Sequence, residues 1–229
     1  MLEFLGRGSA FSAAHNNAYF IDGSDLVLID CSMLSLGKII ELVDSFDEPP
    51  DIYVIVTHTH SDHISGIGML IHYACYIWHI PVTVAAPSEE VAEDLRFLCE
   101  RLDGCSPDSY VITQAALLPW VRDVIPTVHS DLLDGRCFGY HMVIDGRDVV
   151  YTGDTAALEP YMQYIGEDTV LYTEISAVRS PVHLYIEDVL DTLLEMSAGG
   201  TEIYLMHIDD EDEIRAAIKN TLLRLAPTV

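Results

Sequence analysis

The sequence has few basic side chains for its length. Its 229 residues include 11 Lys plus Arg against 37 Asp plus Glu, which gives a formal net charge of -26 at pH 7. A field of this sign repels phosphate backbones and anionic lipid surfaces at long range, so neither a large nucleic acid nor a membrane is an expected partner. A bound pair of divalent cations would still make a local pocket attractive to a small anion.

Paired cysteines and long apolar runs are also missing. The five cysteines contain no CxxC pair, and an odd number in a chain of this length argues against a disulfide framework and favours a reducing cytoplasm. The first residues hold no basic segment followed by a long apolar stretch, so we expect no secretory signal. The most apolar later region, residues 69–86, is interrupted by His72, His79 and Pro81 and favours a buried helix and strand over a membrane span.

Strand-like and helix-like segments alternate along the chain. Half of the residues are hydrophobic and no linker or repeat is visible, so we expect one domain over residues 1–229. The alternation predicts an α/β layered domain, with a hairpin turn at Asp145-Gly146 in a partly antiparallel second half. Helices are predicted over residues 64–77, over residues 88–104 with Ser88 as N-cap, and over residues 211–225.

Three histidines and one aspartate follow directly after the predicted strand "DIYVIVT". The period of two in a strand puts His58 and His60 on one face, where they can bind one ion together. Asp62 and His63 come at the start of the next helix and can point toward a second ion. Imidazole and carboxylate ligands suit zinc, iron or manganese. A polar loop without a metal is the alternative, and further ligands downstream would argue against it.

Candidates for those further ligands stand where predicted strands end. His129 follows "DVIPTV", Asp154 follows "VVYTG", and His207 follows "EIYLM". Loops at the ends of strands are common positions for functional residues. With the first four residues this makes seven ligands, which is enough for two divalent metal ions with an aspartate between them.

The motifs "THTHSDH", "PTVHS", "YTGDT" and "YLMHID", in this order, resemble the metal motifs of the metallo-β-lactamase superfamily. These proteins are binuclear hydrolases with a four-layer αββα sandwich. The opening "FLGRGSAFSAAHNNAYF" with "LVLIDCS" is similar to their phosphodiesterase branch, which includes ribonuclease Z and small cyclic-phosphate phosphodiesterases. The resemblance covers essentially the whole chain, and its aspartate at position 154, where metallo-β-lactamases proper commonly carry a cysteine, disfavours antibiotic hydrolysis.

The resemblance implies a metal arrangement and a mechanism. It implies one ion on His58, His60 and His129, a second ion on Asp62, His63 and His207, and Asp154 between the two ions. We expect zinc, with manganese or iron as alternatives. Two cations that share a water lower its pKa from about 15.7 toward about 7, and the resulting metal-bridged hydroxide attacks the substrate.

Three residues are candidates for catalytic roles. Asp62 is a ligand that can also orient the nucleophile or take its proton. The resemblance implies that His183 donates a proton to the leaving group, with helix capping or packing as the alternative role. Glu174 resembles the glutamate of the His-Glu-Ala-Thr motif in ribonuclease Z-like enzymes, although the residues around it differ, and is expected to support the site from behind.

The predicted function is that of a metal-dependent hydrolase, a phosphodiesterase that acts on a small molecule such as a cyclic nucleotide or cyclic sugar phosphate. Transfer RNA processing is disfavoured by the negative charge and by the lack of a long Gly/Pro-rich inserted arm. A lactone or thioester hydrolase with the same metal site and a non-catalytic metal-bound sensor remain alternatives. A homodimer is an expectation from the family alone.

Overall fold

Two mixed sheets of six strands each form the centre of the computed structural model, which describes residues 1–229. The strands of the first sheet, in their order across it, are β1 (Glu3–Gly6), β2 (Asn17–Asp22), β3 (Asp25–Ile29), β4 (Asp51–Ile55), β5 (Val82–Ala86) and β6 (Tyr110–Gln114). Strands β1 to β3 are antiparallel neighbours, whereas β3 to β6 run parallel.

The second sheet repeats this mixture of directions. Its strands are β7 (Val121–Pro126), β8 (Phe138–Ile144), β9 (Arg147–Tyr151), β10 (Val170–Glu174), β11 (Glu202–Met206) and β12 (Arg224–Leu225). Strands β7 to β9 are antiparallel, with the β8–β9 turn at Asp145-Gly146, and β9 to β12 run parallel. The second half is therefore partly antiparallel, as its turn signals predicted.

Six α-helices complete the fold. They are α1 (Leu36–Val43), α2 (Ser61–Ile64), α3 (Ile67–Tyr73), α4 (Glu89–Arg96), α5 (Ile186–Ala198) and α6 (Glu211–Ala217). The predicted N-cap of α4 is present, because the Ser88 hydroxyl accepts a hydrogen bond from the Val91 amide. None of these helices combines the length and apolar character that crossing a membrane requires.

Side chains that alternate along the buried strands define the layers. In β4, Val54 packs toward α1, α3 and α4, while Ile55 packs toward the second sheet. In β10, Tyr172 points toward the first sheet and Leu171 toward α5 and α6. Strands buried on both faces need apolar residues at every position, which explains their continuous hydrophobic runs. The four layers are helix, sheet, sheet and helix, so the predicted αββα sandwich is confirmed.

Two predicted helices differ from the structure. The helix expected over residues 64–77 is divided at Gly66. A Cβ added at this position would lie only 2.6 Å from the carbonyl oxygen of Ser32. After α3 the chain continues through a π-helical turn, Ala74–Trp78. The helix expected over residues 211–225 was wrong beyond Ala217. Asn220 adopts a φ of 67°, which reverses the chain, and the following residues pair with β11 as strand β12.

Candidate metal centre

The predicted ligands gather where strands of both sheets end. The loop after β4 carries His58 and His60, and helix α2, which follows it, carries Asp62 and His63. The loops after β7, β9 and β11 carry His129, Asp154 and His207. Parallel strands present their carboxyl ends at the same edge of a sheet, so residues far apart in sequence meet there. All seven predicted ligands lie together at this edge of the sandwich.

Three histidines form the first group of candidate ligands. Nε2 of His58 lies 3.0 Å from Nδ1 of His60, which in turn lies 3.2 Å from Nε2 of His129. The side chains of His58 and His129 are buried, while His60 is partly exposed. These are the three residues that the resemblance assigned to one ion.

Asp154 lies between the first group and the second. Its Oδ2 is 3.9 Å from His58 and 3.7 Å from His129, measured to Nε2 of each. The same oxygen lies 3.5 Å from Nε2 of His63 and 3.2 Å from Nε2 of His207. Asp62 completes the second group, because its Oδ2 lies 3.1 Å from His63 and 3.4 Å from His207.

Hydrogen bonds behind the histidines orient their rings. His129 donates from Nδ1 to the carbonyl of Val182 at 2.7 Å, so its Nε2 in the neutral ring keeps a free lone pair toward the cluster. His63 donates from Nδ1 to Oδ2 of Asp30 at 2.7 Å, with the same consequence. A carboxylate or carbonyl behind a ligating histidine is the usual arrangement in metal sites, where it fixes ring orientation and raises ligand basicity.

Two buried polar atoms at the centre of the cluster have no hydrogen-bond partner. They are Nε2 of His63 and Oδ1 of Asp154. A buried polar atom left unpaired costs about 1–3 kcal/mol, so such atoms call for a partner. Together with seven nitrogen and oxygen donors aimed at one region, they fit bound divalent metal ions.

The electrostatics of the cluster favour ligands that are ready to bind a cation. Burial lowers the pKa of His58, His60 and His129, which keeps these rings neutral at pH 7. Burial opposes ionisation of Asp62, but hydrogen bonds with His207 and His63 outweigh it and hold the pKa of that carboxyl well below its usual range. In the second group, burial opposes protonation of His63 and His207, but the Asp154 carboxylate and its acidic neighbours raise the pKa of both rings, so a cation bound there would replace their protons.

His183 and Glu174 form a pair beside the ligands. Nδ1 of His183 lies 2.8 Å from Oε2 of the fully buried Glu174, whose Oε1 accepts the amide of Thr155. Burial raises the pKa of Glu174 to about 7, in spite of the neighbouring His183. Burial opposes protonation of His183, but its hydrogen bond with Glu174 and the charge of that carboxylate raise the pKa to about 9.

His183 also packs against two candidate ligands. The His183 ring packs against His129 with centroids 4.9 Å apart and stacks on His207 at 5.2 Å. A cavity of about 380 Å³, called the metal cleft below, is lined by His60, Asp62, His129, Asp154, His183 and His207, among others. Nδ1 of His183 faces Glu174, so that its Nε2 does not bond to this carboxylate. Glu174 is thus buried and does not line the cleft, whereas His183 lies at the cleft surface.

Asp30 contacts the candidate site and was not among the predicted residues. It is fully buried after β3, and it also accepts hydrogen bonds from the amide and hydroxyl of Thr57 at 2.8 and 2.9 Å. The available signal was an acidic residue directly after the apolar run "LVLI", beside the strand that precedes the histidines. Asn16 also contacts the site, because its Oδ1 accepts a hydrogen bond from the amide of His207 at 3.3 Å.

Residues 26–208 of the chain match the family model of the beta-lactamase superfamily domain. The chain belongs to this superfamily. It is 25% identical to the anti-Pycsar protein Apyc1 of Bacillus phage 010DV004, over 93% of this chain and 90% of the phage protein. The predicted metallo-β-lactamase superfamily membership is confirmed.

Solved structures of other superfamily proteins share the fold. The metallo-beta-lactamase fold protein YhfI from Bacillus subtilis superimposes with a TM-score of 0.77 at 20% identity, over 99% of this chain and 96% of that chain. The short form of human tRNase Z superimposes with a TM-score of 0.65 at 15% identity, over 99% and 96% of the two chains. The resemblance to the ribonuclease Z branch is thereby confirmed at the level of the fold.

Proposed function

We propose that this superfamily member is a metal-dependent hydrolase that cleaves a small phosphodiester. It uses two divalent metal ions, and zinc is the first candidate for both. The observation that carries the proposal is the position of Asp154. One oxygen of its carboxylate lies within 3.2 to 3.9 Å of four histidine nitrogens that belong to both groups of ligands. A carboxylate between two sets of imidazoles is suited to bridge two cations.

When bound, the ions would lower the pKa of water toward about 7 and neutralise charge that develops on the reacting oxygen. The protein side chains have separate tasks. The ionised Asp62 can hold the nucleophile in line as a hydrogen-bond acceptor, and its lowered pKa makes this orienting role the better of its two candidate roles. His183, anchored by Glu174, can present its Nε2 to the oxygen that leaves, because its Nδ1 is already occupied.

The charge of the molecule restricts the substrate. No Lys or Arg lines the metal cleft, so a phosphorus substrate would rely on the ions and on His183 for neutralisation. A phosphodiester carries one negative charge and suits this set better than a phosphomonoester or a polyphosphate. The overall charge of -26 disfavours long nucleic acids, which leaves small diesters such as cyclic nucleotides or cyclic sugar phosphates.

The same cleft also favours a second candidate function. A lactone or thioester is uncharged and needs no cationic side chain, so the lack of Lys and Arg around the metals is compatible with an acyl hydrolase. Only the bond that is cleaved differs, because the metal ligands serve both reactions. Substrate turnover therefore has to decide between the two.

The deciding experiment measures hydrolysis of bis(p-nitrophenyl) phosphate by protein of known metal content, beside a lactone and a thioester. Asp154→Ala is the inactive control, and Asp148→Ala, in the exposed part of β9, is the matched substitution. Phosphodiester turnover that follows metal content and is lost only in Asp154→Ala supports the proposal. Turnover of the acyl substrates alone supports the second function, and no turnover by the metal-loaded protein supports a non-catalytic sensor.

We also propose that the protein forms a homodimer, which is an expectation from its family. Light scattering on a sizing column measures the mass of the particle directly. A mass near that of one 25.5 kDa chain would contradict it.

A further inference from the structure

A second pocket adjoins the metal cleft. It has a volume of about 320 Å³ and shares Ala10, Phe11, His183 and His207 with the cleft, so the two form one continuous site. Pockets of roughly 300–1,000 Å³ are typical for small-molecule ligands. A substrate whose scissile bond lies at the metals would extend its remaining part into this second pocket.

Phe11 is the most unusual residue of the shared wall. Its side chain is fully exposed, whereas Phe4, Phe20 and Phe138 are buried in the cores. Single exposed apolar side chains are common on protein surfaces, but Phe11 lines both cavities, so its ring is available to a ligand that occupies them. The ring lies at the rim between the metal cleft and the second pocket.

The loop that carries Phe11 is held against the chain segment of a candidate metal ligand. Ser9 donates its amide to the carbonyl of Ile208 at 2.9 Å, and Ile208 donates to the carbonyl of Arg7 at 2.8 Å, directly after His207. The loop is tightly wound, because a Cβ at Gly8 would lie 2.1 Å from Oγ of Ser12. The backbone next to the exposed Phe11 ring is thus fixed by hydrogen bonds to the segment that follows His207.

The remaining walls are apolar or uncharged with one exception. Val178 is exposed on the same pocket, and the hydroxyl-bearing Ser9 and Ser180 line it. The exception is Asp209, whose carboxylate accepts the Ser176 hydroxyl at 2.5 Å and the Ala177 amide at 2.8 Å. No Lys or Arg lines the pocket, and His183, the cationic side chain on its shared wall, already faces the Glu174 carboxylate, so the Asp209 end of the pocket disfavours an anionic group.

We propose that this second pocket binds a flat, uncharged ring of the substrate, such as a nucleobase, with Phe11 as the stacking surface and Val178 as an apolar wall. The inference rests on the proposed phosphodiesterase function and names its substrate class as one that carries such a ring. Stacking of a base on an aromatic side chain contributes roughly 5- to 100-fold in affinity, as measured by alanine substitution. Phe11 is then a specificity-determining residue that takes no part in bond cleavage.

The test compares Phe11→Ala and Phe11→Trp with Phe97→Ala, which removes another exposed phenylalanine outside both cavities. The probes are cyclic AMP, cyclic CMP and the same cyclic sugar phosphate with hydrogen in place of the base. We expect Phe11→Ala to lower kcat/KM roughly 5- to 100-fold for the two nucleotides through a higher KM, and to leave the base-free substrate unchanged. Phe11→Trp should retain activity, and Phe97→Ala should behave as wild type.

An equal loss on all three probes would overturn the inference, because it would indicate a structural role of the loop. No loss on any probe would overturn it as well. If the wild type cleaves none of the three probes, the phosphodiesterase proposal fails by itself. Calorimetric titration of the metal-loaded protein with phosphorothioate analogues of both nucleotides then tests whether the second pocket binds the ring. Binding weakened by Phe11→Ala but not by Phe97→Ala supports it, whereas equal binding, or no binding to the wild type, overturns it.

Discussion

Oδ2 of Asp30 lies 2.7 Å from Nδ1 of His63, and both side chains are buried in the interior of the protein. Asp30 follows β3 and His63 belongs to α2, just after the parallel neighbour β4. The bond leaves Nε2 of His63 as the atom that faces Asp62 and Asp154. A carboxylate that touches none of the other predicted ligands thus sets the orientation of one of them.

Replacing Asp30 should therefore weaken metal binding. Asp30→Asn keeps the shape of the side chain but removes its charge, and we expect metal affinity to fall roughly 10- to 100-fold. Competition with a chromophoric chelator measures the affinity. Asp25→Asn, at the other end of β3, is the matched control and should bind as wild type. An unchanged affinity in Asp30→Asn would contradict an orienting role.

Metal stoichiometry tests the two groups of ligands separately. We expect two ions per wild-type chain and about one in either His129→Ala or His207→Ala, because each substitution removes a ligand from one group only. Asp154→Ala should reduce the content most, since its carboxylate contacts both groups. Inductively coupled plasma mass spectrometry gives the count, with His141→Ala, paired to Asp148 on the surface, as control. One ion in the wild type would contradict the binuclear prediction.

Removal of the metal should destabilise the fold. The ligands are mostly buried, and without a cation the Asp154 and His63 atoms remain unpaired in the interior. An ion at ~100-fold its Kd stabilises the native state by about 2.7 kcal/mol, and chelation forfeits this. Differential scanning calorimetry with and without chelator should show a clearly lower Tm for the chelated protein. Coincident transitions would indicate that the cluster folds equally well without ions.

The sequence predicts structural features that depend on neighbouring residues better than features that depend on contacts between distant segments. His58 and His60 lie beyond the end of β4 at Ile55, but their ring nitrogens lie 3.0 Å apart, so the two side chains do come together. Ser88 follows from the chemistry of helix capping and was predicted correctly. The end of α6 was not, because Leu223 and Ala226 are buried through the pairing of β12 with β11, a contact between distant segments. Amphipathic spacing in residues 218–225 could not reveal that pairing.

The same limit applies to the candidate site. All seven candidate ligands come together, since each stands after a strand and the carboxyl ends of parallel strands meet. Asp30 was missed because its role depends on which strand lies beside β4. The bond between His183 and Glu174 depends on the path of the chain between β10 and α5, which no periodicity encodes.

Gly139 in β8 tests the close packing behind the site. A Cβ there would lie 2.5 Å from the carbonyl oxygen of Tyr151 and 2.6 Å from the ring of Tyr161. We expect Gly139→Ala to lower the free energy of unfolding by about 1–3 kcal/mol, the usual cost of overpacking. Gly37→Ala, in α1 with open space around it, should instead raise it by about 0.5 kcal/mol. Urea unfolding measures both, and a neutral Gly139→Ala would contradict the packing described.

The role of His183 can be separated from simple packing by the leaving group. p-Nitrophenolate leaves without a proton, whereas the alkoxide of a cyclic nucleotide needs one. We expect His183→Gln to lower kcat on a cyclic nucleotide by about 10²- to 10⁴-fold, and to affect bis(p-nitrophenyl) phosphate far less. Glu174→Gln, which keeps a hydrogen-bonding partner for Nδ1 of His183 but removes the charge, should show the same contrast at smaller size. Equal losses on both substrates, with metal content unchanged, would mean that His183 only holds His129 and His207 in place.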